Sequence, residues 1–197
     1  ANYANTTGNY NVSLGSQALR FNTTASENVA VGYQALYDNT TGEKNTAVGT
    51  AALTNNTTAS NNSAFGREAL KYNTTGASNV AVGREALVSN TTASNNTAVG
   101  YQAGYSTTTG SYSTSVGYQA HYSNTTGRNS ALGYVALRSN TTGTNNTAVG
   151  DSALYSTTTG NYNTALGQEA LQANTTASNN TAVGYQAGYT NVAAGAQ

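Results

Sequence analysis

Few residues in this chain are equipped for chemistry, and their spacing does not assemble a catalytic group. His121 is the only histidine. It falls where most copies of an internal repeat carry Leu, so it reads as a tolerated substitution near the edge of a core rather than as a base or a metal ligand. Glu68 and Glu85 lie 17 residues apart, beside Arg67 and Arg84. That is the pattern of a solvated, self-compensating charge patch, not of a carboxylate pair poised for acid–base work. Cys is absent, which removes thiolate nucleophiles, thiolate metal sites and any disulfide framework. Serines are plentiful, but no base accompanies them. Nothing matches a glycine-rich phosphate loop or the G-G-x-G-x-D calcium repeat. The expectation is a protein that is not an enzyme and holds no cofactor and no metal.

Two polar patterns remain. Sequons of the form N-x-[ST] recur at Asn5, Asn22, Asn39, Asn73, Asn90, Asn124, Asn140 and Asn174. They would accept glycans in a host that glycosylates Asn, although a structural corner repeated in every copy already accounts for them. Tyr101, Tyr105, Tyr118 and Tyr122 fall in two columns over adjacent copies. Tyr33, Tyr37, Tyr134, Tyr155, Tyr185 and Tyr189 continue those columns. Exposed Tyr supplies contact area and a hydroxyl, as a ligand surface does. Equally, such rings can stack on one another and cover a thin fold. Both readings stand on the sequence.

The elements that hold these residues follow from one period. Charged residues make up 7% of the chain and the formal net charge is zero, so there is no electrostatic footprint for nucleic acid or an anionic membrane. No apolar run approaches the ~20 residues of a membrane span, and residues 1–15 lack the basic start and apolar stretch of a signal peptide. The glycine after each aliphatic triplet marks the repeat: Gly15, Gly32, Gly49, Gly66, Gly83, Gly100, Gly117, Gly133, Gly150, Gly167 and Gly184. The spacing is 17 throughout, except for 16 between Gly117 and Gly133. The unit reads N-[TVS]-A-[VLF]-G-x-x-A-L-x-x-N-T-T-[GA]-x-x.

A helical repeat needs about 30 to 47 residues to hold its helices, and Asn and Thr at the corners compete with a helix for backbone hydrogen bonds. What fits is one coil of a parallel β-solenoid. At ~3.3 Å per residue a coil has a contour of roughly 56 Å, enough for two short strands and two turns in a flattened roll. The chain is therefore predicted to be all-β, a single domain over residues 1–197 of about eleven coils, making a rod about 53 Å long. The residue missing from the short copy falls between Gly127 and Asn129, in a turn, so strand phase is kept and no side chain changes face.

Period-2 alternation places the column ahead of the glycine (Leu14, Val31, Val48, Phe65 and their equivalents) on one face with the column two residues earlier (Val12, Val29, Thr46, Ser63). That face is taken as the interior. Leu19, Leu36, Leu53, Leu70, Leu87, Leu137, Leu154 and Leu171 fill the second half of the core, and two Asn columns, from Asn22 and from Asn28, stack at corners. The glycines mark close backbone approach. The alternating position then faces out: Ala30, Ala47, Ala64, Ala81, Ala98, Ala131, Ala148, Ala165 and Ala182, with Ser13 and Ser115 as small exceptions. A column kept this small points to a neighbouring chain packed closely against it. The alternative is that Ala faces a cramped interior while the Val column makes the contact.

The motif N-[TVS]-A-[VLF]-G, best seen at Asn79-Val80-Ala81-Val82-Gly83, resembles the N-S-V-A-I-G head repeat of trimeric autotransporter adhesins, the YadA-like heads. The string Thr97-Ala98-Val99-Gly100-Tyr101-Gln102-Ala103 is similar to repeat regions of phage-type tail-fibre proteins. The resemblance covers nearly the whole chain, whose coil is longer than that of the adhesin heads. It implies a left-handed β-roll, a homotrimer or fibre, a location outside the cell or on a virion, and a host-surface or matrix ligand. Two other functions are weighed: an ice-binding solenoid built on the Thr ladders, and an end-to-end extracellular filament. The shortened final copy Asn191-Val192-Ala193-Ala194-Gly195 lacks a polar cap, so the chain reads as an excerpt of a longer fibre.

Overall fold

Each triplet ahead of a marker glycine is extended and pairs with the same triplet one coil on. The structure, a computed structural model describing residues 2–190, contains eleven such strands. They are β1 (Val12–Leu14), β2 (Val29–Val31), β3 (Thr46–Val48), β4 (Ser63–Phe65), β5 (Val80–Val82) and β6 (Thr97–Val99). Then follow β7 (Thr114–Val116), β8 (Asn129–Leu132), β9 (Asn146–Val149), β10 (Thr164–Leu166) and β11 (Thr181–Val183). They form one parallel sheet in sequence order from β1 to β11. The chain is thus a β-solenoid of about ten turns with about 17 residues per turn. The repeat sets the register: Val80 pairs with Thr97, Ala81 with Ala98 and Val82 with Val99. The short copy keeps that phase, since Ser115 pairs with Ala131 and Val116 with Leu132. The terminal triplet from Asn191 lies outside the described residues.

The second strand expected in each coil is replaced by tight turns. After the glycine the backbone enters the left-handed region at alternate residues, for example Gln34 (φ 56°) and Leu36 (φ 50°), and again at Lys44 (φ 57°) before the next strand. A chain that alternates in this way cannot stay extended. Its hydrogen bonds still run between coils: Gln34 N donates to Ser16 O at 3.1 Å and Leu36 N to Ala52 O at 3.0 Å. A left-handed Leu costs on the order of 1 kcal/mol. The cost is offset because the turn sends each Leu inward, where the column from Leu19 to Leu171 is buried.

The two faces of the sheet are the reverse of the sequence expectation. Ala30, Ala47, Ala64, Ala81, Ala98, Ala131, Ala148 and Ala165 are fully buried, and Ala182 is 8% exposed. This column faces the interior of the coil and is not an oligomer surface. The Val column points outward, with Leu14 at 66% and Leu132 at 49% exposure. The reason is volume. The Leu column approaches the sheet from across the coil, so that at Gly188 a Cβ would lie 3.7 Å from both Leu171 Cγ and Ala182 Cβ. With Leu on one side, only Ala fits on the other.

The glycine and asparagine columns hold the coils together as expected. At Gly83 (φ 133°) a Cβ would sit 2.4 Å from Gly100 O. Asn39 Nδ2 donates to Asn22 Oδ1 (3.1 Å) and to Gly42 O (2.9 Å). Asn28 Nδ2 converges on that same Gly42 O at 2.9 Å. Both amide columns are interior and tie the N-T-T-[GA] corner to its own coil and the next.

Candidate functional site

The regular coils offer no distinct site. Most of the irregularities gather in the middle of the rod, with Thr157 in the Asn22 column and Gly188 in the Leu column beyond it. In the coil from Asn96, Gly104 stands in the Leu column and Thr107 in the Asn column that starts at Asn22; in the next, Ser113, Ser115 and His121 replace Asn, Ala and Leu. The apolar core accordingly divides into two clusters, one ending at Ala103 and the other starting at Ala120. One consequence is an orphan: Asn90 Oδ1, facing the coil where Thr107 replaces Asn, has no hydrogen-bond partner.

His121 is fully buried, not at the edge of the core as expected. Asn129 Nδ2 lies 3.0 Å from its Nε2 and Ser115 Oγ 3.3 Å from its Nδ1. The Asn129 amide is oriented by Asn146, whose backbone N–H donates to Asn129 Oδ1 at 2.8 Å. The amide nitrogen therefore donates to Nε2, and the ring proton sits on Nδ1, donating to Ser115 Oγ. Burial lowers the imidazole pKa to about 3, so the ring is neutral. A histidine that donates to a serine does not activate it, and no carboxylate orients the ring. The pair is a satisfied polar layer in the core rather than the start of a triad.

On the outside, the tyrosines of the sequence reading come together as stacks. Tyr101 lies on Tyr118 with centroids 5.3 Å apart, Tyr118 on Tyr134 at 5.2 Å, and Tyr105 on Tyr122 at 4.9 Å. The rings cover one another, and Tyr118 keeps 44% of its surface exposed. Beside them runs a side-chain ladder. Gln102 Nε2 donates to Glu85 Oε2 (2.7 Å), Gln119 Nε2 to Gln102 Oε1 (2.8 Å) and Arg138 Nε to Gln119 Oε1 (3.0 Å). The Gln102 hydrogen bond, with Arg84 2.9 Å away, holds the Glu85 carboxyl below the usual range. Glu68 pairs instead with Arg67 and Lys71. The two glutamates form separate compensated pairs, with no shared proton.

The missing residue of the short coil leaves a notch of about 280 Å³ lined by Tyr112, Arg128, Asn129, Ser130, Asn145, Asn146 and Thr147. The spacing revealed the deletion but gave no sign of this cleft, whose walls come from three successive coils. The sequon asparagines from Asn22 to Asn174 are buried, so the folded chain does not present them to a glycan. Asn22 and Asn174 donate to a backbone carbonyl of their own corner, Asn140 Nδ2 has no partner, and Asn5 is half-buried. Among the described residues no three His, Cys, Asp or Glu side chains group as a metal site.

No family model, no curated protein and no solved structure matches this chain.

Proposed function

We propose that the chain is a non-enzymatic, structural and adhesive segment of an extracellular fibre, assembled from copies packed through the outward face of the sheet. The observation that carries this reading is the composition of that face. Its two columns, led by Val12 and Leu14, contain only Val, Leu, Phe, Thr and Ser along all eleven strands. Phe65, Val80, Val82, Val99, Leu132 and Leu166 are exposed there. Water-facing strand positions normally carry polar and charged residues. Here the Leu14 column is apolar on all eleven strands and the Val12 column beside it is Val, Thr or Ser without a charge, and an exposed apolar column of this length marks an interaction surface.

The partner is argued from periodicity. A face that repeats once per coil is matched along its length only by something with the same repeat, and a parallel second copy of this chain has it by construction. Two outward side chains on each of eleven strands fall within the about 20–30 residues a side of a stable interface. Charge neutrality of the face removes repulsion between copies, and the thin core gains burial it lacks alone. A three-fold arrangement, as the adhesin-head resemblance implies, closes the assembly without leaving this face open.

The test is Val82→Glu combined with Val99→Glu. Light scattering should show a fall to the mass of one chain while far-ultraviolet circular dichroism keeps its β signature. An unchanged mass, or a single-chain mass already in the unaltered protein, sinks the proposal. A second reading, an ice-binding solenoid, is favoured by the same face, because Thr97, Thr114, Thr147, Thr164 and Thr181 project outward at a regular repeat. Thermal hysteresis in cooled solution would support it, and its absence would end it.

A further inference from the structure

The break in the core has a counterpart on the surface. The apolar clusters end at Ala103 and resume at Ala120, because Gly104, Ser115 and His121 stand where Leu, Ala and Leu recur. The two coils that meet here share no apolar cluster, and in a serial array such a junction is where the rod opens first. Tyr101 stacks on Tyr118 and Tyr105 on Tyr122 across that same junction, and Tyr134 extends the first stack by one coil. No other two tyrosines stack on each other among the described residues.

The five rings lie beyond the marker glycines, outside β6, β7 and β8, and so off the sheet face through which copies are proposed to pack. Tyr118 has a ring on each face and is still 44% exposed, so what it shows to solvent is its edge. Rings one coil apart are related by a near-translation, with interplanar angles of 12° for Tyr105 and Tyr122 and 21° for Tyr101 and Tyr118. Each carbon beside a hydroxyl therefore lies about as far from its counterpart as the centroids do, 4.9 Å in the first pair and 5.3 Å in the second.

We infer that these stacks are a site of oxidative cross-linking, where dityrosine bonds join the coils on either side of the core break. A one-electron oxidant of the haem-peroxidase class, working with hydrogen peroxide, takes one electron from each of two stacked phenols, and each phenolic proton leaves to water. The two phenoxyl radicals carry spin on the carbons beside the oxygen, and two of these carbons join in one new C–C bond. The ring hydrogens displaced there move to the oxygens and restore both phenols. The two electrons and two protons given up reduce one hydrogen peroxide to two waters. Composition favours this path. Cys and Met, which oxidise readily, are absent, as is Trp, whereas Tyr occurs 15 times; a tyrosyl radical has no easier side chain to drain into. Without Cys the chain has no disulfide to tie one coil to the next, and a dityrosine bond restricts the unfolded chain in the same manner.

The full chain, in dilute solution, is treated with a haem peroxidase and hydrogen peroxide. It is then read by dityrosine fluorescence, by denaturing electrophoresis and by mass spectrometry after trypsin. Tyr101, Tyr105, Tyr118 and Tyr122 share the tryptic peptide 85–128, and Tyr134 lies in 129–138. Three results are expected: dityrosine fluorescence at the mass of one chain, a peptide 85–128 lighter by two hydrogens per link, and slower unfolding in denaturant than the untreated chain. Tyr118→Phe combined with Tyr122→Phe keeps a ring at every place in both stacks but leaves no tyrosine stacked on another. Circular dichroism checks that this variant is folded, and in it the fluorescence and the mass loss should vanish. Links that persist in the variant overturn the assignment, as do links formed only between chains or an unaltered peptide 85–128 in the parent. A linked chain that unfolds as fast as the untreated one overturns the tie between coils. The readout is the mass of a single denatured chain, whereas assembly is read by light scattering, so this inference and the fibre reading stand or fall separately.

Discussion

His121 is the residue at which acid acts on the interior of this fold. Its pKa in the folded chain is about 3, against about 6.5 for an exposed imidazole. As pH falls below about 6.5 the unfolded chain takes up a proton and the folded chain does not. Stability attributable to this group is therefore complete above about pH 6.5 and lost progressively toward pH 3, at up to about 1.4 kcal/mol per unit. His121→Leu, which restores the column residue, should remove that slope. The difference between the two proteins in denaturant midpoint at pH 7 and pH 4.5 measures it, and an equal slope in both would refute the assignment. The sequence identified this residue as an interruption of the Leu column. It did not reveal the partnership with Ser115 and Asn129, because those residues sit in a strand of the same coil and a strand of the next.

At the scale of the element, one coil is held by a glycine contact, two amide columns and an Ala–Leu interior. Gly83→Ala would place a Cβ 2.4 Å from a backbone oxygen at a left-handed φ, and neither can relax without opening the sheet. Loss of most of the cooperative thermal transition is expected. Asn73→Ala deletes the bonds to Asn56 Oδ1 and Gly76 O (2.9 Å each) and leaves Asn90 Nδ2 without its 2.7 Å acceptor. The expected cost is on the order of 3 kcal/mol, measured by chemical denaturation. The faces of the strand can be separated in the same way. Ala81→Glu buries a charge in a dry core and should unfold the protein, whereas Val82→Glu changes only assembly. If Ala81→Glu stays folded with its circular dichroism unchanged, the interior assignment is wrong.

For the whole molecule, the coils contribute in series, each touching its neighbours. In such an array stability is approximately a sum over units and their interfaces. Excision of residues 45–61, one full repeat within the first apolar cluster, joins equivalent residues and preserves every column. The shortened chain should keep its β spectrum, shorten by about 4.8 Å and melt at a lower temperature. Excision of one residue fewer or more from within a strand would invert the faces and should abolish folding. A shortened rod that fails to fold after the in-register excision would show that the coils are not interchangeable.

The sequence by itself determined the period, the coil, the parallel register and the place of the deletion. All of these depend only on which residues recur at which spacing. Glycine close contact and stacked asparagines were legible for the same reason, since a column of identical residues in a solenoid must meet itself. The inward face of the strand was decided by the tertiary structure. Alternation at period two is symmetric and fits either face equally. The choice was made by Leu residues held at positive φ, a conformation that hydropathy does not register, which fill the interior from the opposite side and leave room only for Ala. The notch was likewise visible as a missing letter but not as a cleft. Its form depends on Tyr112, Arg128 and Asn145, residues of three successive coils brought side by side only once the chain has wound.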